Sequence, residues 1–254
     1  MSRTYFASDF HLGTDGASPS VERERLIVKW LEESAPDMKA LYLVGDVWDY
    51  WFEYRNVIPK GYSRLLGCLG RLKDAGIDIW YFTGNHDMWM FRYLTDELGI
   101  PILREPVIHD IDGKRFYIGH GDGLGPGDHG YKMIKKIFAS PVSQWLFARI
   151  HPNTGLRLMK FFSGTSRHYT PEEPFLGPEK EWLIRHALDV LQHEDIDYFV
   201  FGHRHLPISY DLGVKGARYI NLGDWLSYNS YAVFDGTELS LCFYSPNDGQ
   251  TGAV

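Results

Sequence analysis

Five short clusters along this 254-residue chain carry side chains able to bind divalent cations. Asp9 and His11 stand in Asp-Phe-His, Asp46 in Gly-Asp-Val-Trp-Asp, and Asn85 in Gly-Asn-His-Asp. His120 stands in Gly-His-Gly-Asp, and His203 and His205 close the series in Gly-His-Arg-His. Every donor is an oxygen or an imidazole, and none is a thiolate. Such a set suits two hard-to-borderline divalent cations working on a phosphate ester, with Mn2+ first and Fe, Zn, Co or Mg as other occupants. Beside the third cluster's Asn85, His86 can donate a hydrogen bond to a phosphoryl group or protonate a leaving oxygen. Asp87 is placed to orient the His86 ring, and Asp49 to support the Asp46 loop.

The donors follow strand-like runs. Val, Ile, Tyr and Phe content with Gly or Asp at the ends predicts strands at Arg3–Ser8, Ala40–Val44, Ile77–Thr83, Arg115–Gly119 and Asp197–Phe201. Further strands are expected at Ile208–Asp211, Arg218–Asn221, Tyr231–Phe234 and Leu239–Phe243. Helical periodicity fits Pro19–Ser34, Gly61–Ala75, Met88–Leu98 and Pro178–Glu194. Strand-helix alternation in the first half implies parallel pairing, and the consecutive strands near the C-terminus imply hairpins. An α/β fold with a two-sheet β-sandwich core flanked by helices results. Open α/β sheets hold their ligands beyond the carboxyl ends of strands, so donors distant in sequence can converge there. One strand-to-donor junction is commonplace; five in one chain are not.

The chain is expected to form a single domain over 1–254 with a helical cap inserted at 125–177. Within that insertion, three short helices are predicted at Lys132–Ala139, Val142–Ile150 and Gly155–Phe162. Pro141, Pro152 and a turn at Ser163–Ser166 separate and end them.

Apolar residues make up 44% of the chain, enough for a large core and too many for disorder. No apolar run is long enough to span a bilayer, and Asp9 comes too early to leave room for a signal peptide. Cys68 and Cys242 are far apart in apolar surroundings, so no disulfide and a cytosolic compartment are expected. The net charge of -7 hides a local reversal: from His129 to Pro171 there is no acidic residue but seven basic ones. The remainder has 19 basic against 33 acidic residues, or -14. That balance, without a basic groove interleaved with aromatics, disfavours nucleic acid, while the basic stretch suits an anionic ligand or surface. His109, His151, His186 and His193 read as surface or hydrogen-bonded polar residues, and Trp48–Phe52 as wall packing. Oligomeric state leaves no mark on the sequence.

The five clusters resemble the motifs of calcineurin-like metallophosphoesterases over residues 9–205. The resemblance implies a four-layer α/β/β/α fold, with Asp9, His11, Asp46 and His205 around one cation. Asp46, Asn85, His120 and His203 would surround the other, Asp46 bridging. It implies attack on phosphorus by a water that loses its proton between the two cations. Asp-Phe-His-Leu-Gly at 9–13, Gly-Asp-Val-Trp-Asp-Tyr-Trp at 45–51, His-Gly-Asp-Gly-Leu at 120–124 and Gly-His-Arg-His at 202–205 are most similar to bacterial UDP-2,3-diacylglucosamine pyrophosphatases of lipid A synthesis. By that resemblance the substrate is an acylated sugar nucleotide, cleaved to UMP and 2,3-diacylglucosamine 1-phosphate. The enzyme would be cytoplasmic and peripherally attached to the anionic inner-membrane surface through its cap. Asn85, His86, Asp122 and Tyr131 would contact substrate, with Lys160, Ser163 and Arg167 added from the cap. The best-known members carry Arg at the position of His86, whereas Gly-Asn-His-Asp is the general phosphoesterase form. A soluble phosphodiesterase or protein phosphatase is therefore the other reading.

Overall fold

The computed structural model describes residues 2–16, 18–125, 129–169, 174–246 and 249–251, with side chains for all of these except 129, 165–169 and 249–251. Its first half alternates β1 (Arg3–Ala7), α1 (Ser20–Ser34), β2 (Met38–Val44), α2 (Ser63–Asp74), β3 (Asp78–Phe82), α3 (Tyr93–Leu98) and β4 (Ile102–Leu103). A hairpin of β5 (Val107–Ile111) and β6 (Lys114–Gly119) follows, then α4 (His129–Ala139), α5 (Pro141–Phe147) and α6 (Pro152–Tyr169). The chain ends with α7 (Trp182–Val190), β7 (Tyr198–Phe201), β8 (Pro207–Asp211), β9 (Arg218–Leu222), β10 (Ser230–Phe234), β11 (Leu239–Ser245) and β12 (Gly249–Thr251).

These strands form two mixed sheets, ordered β12-β11-β10-β1-β2-β3-β4 and β5-β6-β7-β9-β8. β1, β2, β3 and β4 run parallel in the first, as the alternation implied, and β6, β7 and β9 run parallel in the second. The C-terminal hairpins divide: β8 pairs with β9 in one sheet, while β10 and β11 extend the other beside β1.

Side-chain alternation separates the layers. Along β1 and β2, Tyr5, Ala7, Leu41 and Leu43 pack toward α1 and α2, with Trp30, Leu31, Leu65 and Leu69. Their neighbours Phe6, Tyr42 and Val44 turn inward to meet Phe116, Ile118, Val200 and Ile220 of the facing sheet. On the outer face of that sheet, Phe199, Phe201 and Tyr219 pack on Leu183, Ile184 and Ala187 of α7. Both faces of the central strands are buried, which explains their nearly continuous apolar runs.

Two helices begin a turn or more later than periodicity implied. Met88–Arg92 is not helical, because the Glu53 carboxylate takes the N–H groups of Phe91 (2.8 Å), Arg92 (2.9 Å) and Tyr93 (3.0 Å) and so caps α3 there. Likewise Pro178–Lys180 forms a turn, and α7 starts after Glu181.

The expected turn at Ser163–Ser166 is absent. α6 continues through it to Tyr169, its middle tied down where Ser163 donates to Asp49 at 2.8 Å, a tertiary anchor that outweighs the poor propensity of Ser and Gly. α4 and α5 meet the body through Trp89, whose Nε1 donates to Phe138 O at 2.8 Å, and through Phe147, with ring centroids 4.7 Å from Phe52 and from Trp89.

Candidate metal centre

All the donor clusters sit beyond the carboxyl ends of parallel strands: Asp9 after β1, Asp46 after β2, Asn85 after β3, His120 after β6, and His203 and His205 after β7. Asp9, His11, Asp46, His203 and His205 have φ of 55°, 44°, 52°, 66° and 56°, in the left-handed region. Residues held this way cost on the order of 1–3 kcal/mol each and persist only where the surroundings dictate them, although Asp and His tolerate the region better than most. Here the backbone is tied from several sides. Asp9 N donates to Gly45 O and His11 N to Asp46 O, both at 3.0 Å, and His203 N donates to Asp9 Oδ2 at 3.0 Å. Arg23 of α1, fully buried, grips Phe10 O and His11 O at 2.8 Å each and Thr14 O at 2.6 Å.

Inside this frame the donor atoms converge. His11 Nε2 lies 3.2 Å from His205 Nε2 and 3.7 Å from Asp9 Oδ1, which is 3.4 Å from His205 Nε2. Asp46 Oδ2 is 3.2 Å from His120 Nε2 and 3.8 Å from His11 Nε2, so this carboxylate faces both groups. His120 Nε2 is also 3.3 Å from Asn85 Oδ1, and His203 falls with Asp46 and His120 in a set whose ligand atoms all lie within 4.8 Å of one another.

Outer partners decide which nitrogen each ring presents. The Nδ1 of His11 faces Asp49 Oδ1 at 3.3 Å, that of His120 faces Val44 O at 2.8 Å, and that of His205 faces Asp224 Oδ2 at 3.1 Å. Each acceptor calls for a proton on Nδ1, so Nε2 is the nitrogen that each ring aims at the shared space. Asp9 Oδ1 is buried there without a hydrogen-bond donor. An orphaned carboxylate oxygen among converging imidazole nitrogens is what a divalent cation would satisfy. Small residues are needed nearby: a Cβ on Gly84 would run into the Asp46 carboxylate, and one on Gly202 into Asp9 Oδ2 and Ser8.

The electrostatics fit a cation as well. Burial alone would lower His11 and His120, yet Asp49 and Asp9 hold the first up to about 10, and Asp46 does the same for the second. Burial and the His120 charge instead push His203 down to about 4. Burial would raise the Asp46 carboxyl, but the His120 charge and its hydrogen bond keep it well below its ordinary value. In the absence of cations, protons on imidazole partly neutralise the carboxylates.

The calcineurin-like phosphoesterase family matches residues 2–207. The chain belongs to that family. Its members are metal-dependent hydrolases, in keeping with the donor set described above. Among its relatives is the UDP-2,3-diacylglucosamine hydrolase of Porphyromonas gingivalis, 38% identical across 94% of this chain and 97% of the relative. The enzymes of the same name from Aeromonas salmonicida and Aeromonas hydrophila are 28% and 26% identical, over 94% and 91% of this chain and 92% and 93% of theirs.

In this calcineurin-like phosphoesterase His86 lies at the rim of the cluster. Its N–H donates to Asp46 Oδ1 at 2.8 Å, and its Nδ1 faces Asp49 O at 3.0 Å and Ser163 Oγ at 3.2 Å. Asp87 does not orient it. That carboxylate turns away and accepts from Val47 N at 2.9 Å, Gly84 N at 2.7 Å and the Tyr81 hydroxyl, joining the second and third donor loops. Burial and the Asp46 charge raise Asp87 to about 6. Asp49 reaches further than expected, bonding to His11, His86 and Ser163 together.

Asp122 is buried beside the centre and bonded to Tyr131 Oη and Lys135 Nζ, each at 2.7 Å. The Tyr131 ring lies 6.5 Å from that of His203. Lys160 is exposed on α6, and the Arg167 side chain lies outside the described residues. His109 and His186 are satisfied by Tyr42 and Tyr117, while Trp48, Trp51 and Phe52 are buried wall residues.

Two residues of the frame escaped the sequence reading, Arg23 and Asp224. Arg23 gives no signal, sitting in an ordinary helical pattern. Asp224 does give one, since Gly223-Asp224 after β9 repeats the strand-glycine-carboxylate order of Gly45-Asp46 after β2.

Proposed function

We propose that this chain hydrolyses the diphosphate of UDP-2,3-diacylglucosamine, releasing UMP and 2,3-diacylglucosamine 1-phosphate, as a step of lipid A synthesis. The observation that carries the reading is the buried convergence of imidazole Nε2 and carboxylate atoms around Asp46, in a chain 38% identical to a hydrolase named for that substrate. Asp9, His11, Asp46 and His205 would hold one cation, and Asp46, Asn85, His120 and His203 the other, with Mn2+ the leading occupant. When bound, such cations neutralise phosphoryl charge and lower the pKa of water. Asp46 serves both positions, and Asp49 keeps His11 in its ligating tautomer.

His86 acts on the phosphoryl group. Burial pushes its pKa below the ordinary value, so the ring is neutral in the free chain. An arriving diphosphate, with one negative charge on each phosphorus, favours uptake of a solvent proton to give the imidazolium, which then donates to a phosphoryl or leaving oxygen. Asp122 and Tyr131 face the sugar or lipid, and Lys160 and Ser163 approach it from α6.

Residues 125–177 serve as a cap inserted in a single domain over 1–254. Trp145, Leu146, Phe161 and Phe162 are exposed on α5 and α6, where Arg157 and Lys160 also lie, with Arg149 in the turn between the two helices. That pairing suits acyl chains and an anionic inner-membrane surface, with the protein attached from the cytoplasmic side. No helix among the described residues is long and apolar enough to cross a membrane. UMP release from UDP-2,3-diacylglucosamine, measured beside hydrolysis of bis-p-nitrophenyl phosphate, tests the reading. Hydrolysis of the simple ester alone would replace it with a general phosphodiesterase.

A further inference from the structure

Asp224 ends the run Asn221-Leu222-Gly223-Asp224 beyond β9, and its side chain is fully buried. One oxygen, Oδ1, accepts from Ser227 N at 2.8 Å and Tyr228 N at 3.3 Å, and Oδ2 lies 3.1 Å from His205 Nδ1. The turn is anchored at its base as well. Ser230 N donates to Asp224 O at 3.2 Å, and Trp225 N donates to Asp9 O at 3.1 Å. One rigid turn therefore touches both Asp9 and His205, members of a single donor set.

We propose that Asp224 is a positioning residue for the cation held by Asp9, His11 and His205, acting by locking His205 in the tautomer that offers Nε2. This rests on the dinuclear reading above. An ionised carboxylate only accepts hydrogen bonds, so the nitrogen facing it must carry the proton. The lone pair of His205 is then left on Nε2, 3.4 Å from Asp9 Oδ1.

Asp224→Asn separates this role from one of shape alone. The side-chain oxygen of Asn must keep the Ser227 and Tyr228 N–H groups, which turns its NH2 toward His205 Nδ1. That donor demands a bare Nδ1 and a protonated Nε2, which cannot ligate. An isosteric variant should therefore weaken one cation position while the fold survives.

Calorimetric titration of the metal-free chain with Mn2+ tests this, with thermal unfolding monitored alongside. The expected result is two Mn2+ bound by the unaltered chain, and in D224N an affinity lowered by about 10- to 100-fold at one position only. His205→Ala should remove the same position. Wild-type affinities at both positions in D224N would overturn the proposal alone, as would equal weakening of both. An unaltered chain that takes up no Mn2+ would overturn the dinuclear reading and this proposal with it. Imidazole nitrogen NMR shifts of the unaltered metal-free chain give a readout that no folding defect can obscure. His205 protonated on Nδ1 and bare on Nε2 supports the proposal, and the opposite tautomer overturns it.

Discussion

Ser163 Oγ donates to Asp49 Oδ2 at 2.8 Å, and the other oxygen of that carboxylate faces His11 Nδ1 at 3.3 Å. A residue in the middle of α6 thus bonds directly to the group that orients a candidate ligand. The position of α6 and the aim of His11 are coupled through one side chain. A hydrogen bond to an ionised acceptor contributes about 1.5–3 kcal/mol, more than most surface contacts of the segment can supply. Ser163→Ala should lower the urea unfolding free energy by about that amount while leaving Mn2+ stoichiometry unchanged. An unchanged unfolding free energy would mean that the hydroxyl does nothing to dock α6.

Asp46 is the residue shared by the two donor groups, with Oδ2 at 3.2 Å from His120 Nε2 and 3.8 Å from His11 Nε2. Asp46→Asn removes a negative charge from both at once. Loss of one outer partner lowers metal affinity by about 10- to 100-fold, and loss of the bridging charge should exceed that at both positions. Turnover should vanish with it. Near-normal activity, or metal missing from one position only, would remove the bridging role.

His86→Ala addresses the other half of the chemistry. The ring touches Asp49 O and Ser163 at the edge of the cluster, and its backbone N–H, which holds Asp46 Oδ1, survives the substitution. Metal content should stay intact while the chemical step slows by about 100- to 10,000-fold, the range for a lost general acid. If elemental analysis showed metal leaving instead, His86 would be a ligand.

Metal binding should be proton-linked. The carboxylates hold His11 and His120 up to about 10, so both rings are protonated in the metal-free chain at neutral pH. A cation must displace those protons to reach the Nε2 lone pairs. Affinity should therefore rise with pH up to about 10, by about tenfold per pH unit for each proton displaced. Titrations at one pH in buffers of different ionisation enthalpy read the released protons directly, and identical heats after correction for Mn2+ alone would contradict the linkage.

The donors were legible in the sequence because each is a special residue after a short apolar strand, and parallel pairing carries such junctions to one end of a sandwich. What escaped depended on contacts made across the chain. Asp87 looked like a partner of its neighbour His86, but folding places its oxygens on Val47 and Gly84 N–H groups instead. α6 runs through Ser163 and Gly164 because of an anchor 114 residues away in sequence, which local propensity cannot register. β5 was missed although Asp112-Gly113 is a strong hairpin signal, both residues having positive φ; the alternating exposure of Val107–Ile111 hid an edge strand. Arg23 could not be foreseen, since a buried arginine looks like any other helix residue until the carbonyls it grips are in place.

The exposed surface of α5 and α6 yields a final prediction. Trp145, Phe161 and Phe162 are 57%, 68% and 59% exposed, and the Arg149 guanidinium lies 4.7 Å over the Trp145 ring. Large exposed aromatics beside cations are costly in water but suited to the interface of an anionic bilayer. Each nearby Lys or Arg adds about 1 kcal/mol of attraction there, screened by salt, whereas ring burial adds about 25 cal/mol per Å2 and is not. Replacing Phe161 and Phe162 by Ser should therefore reduce partition onto phosphatidylglycerol-containing vesicles at low and high salt alike. Replacing Arg149 and Arg157 by Gln should reduce it only at low salt. Hydrolysis of bis-p-nitrophenyl phosphate should persist in both, because none of these side chains belongs to the donor cluster. Cosedimentation equal to the unaltered chain in both variants would remove the surface of α5 and α6 from membrane attachment.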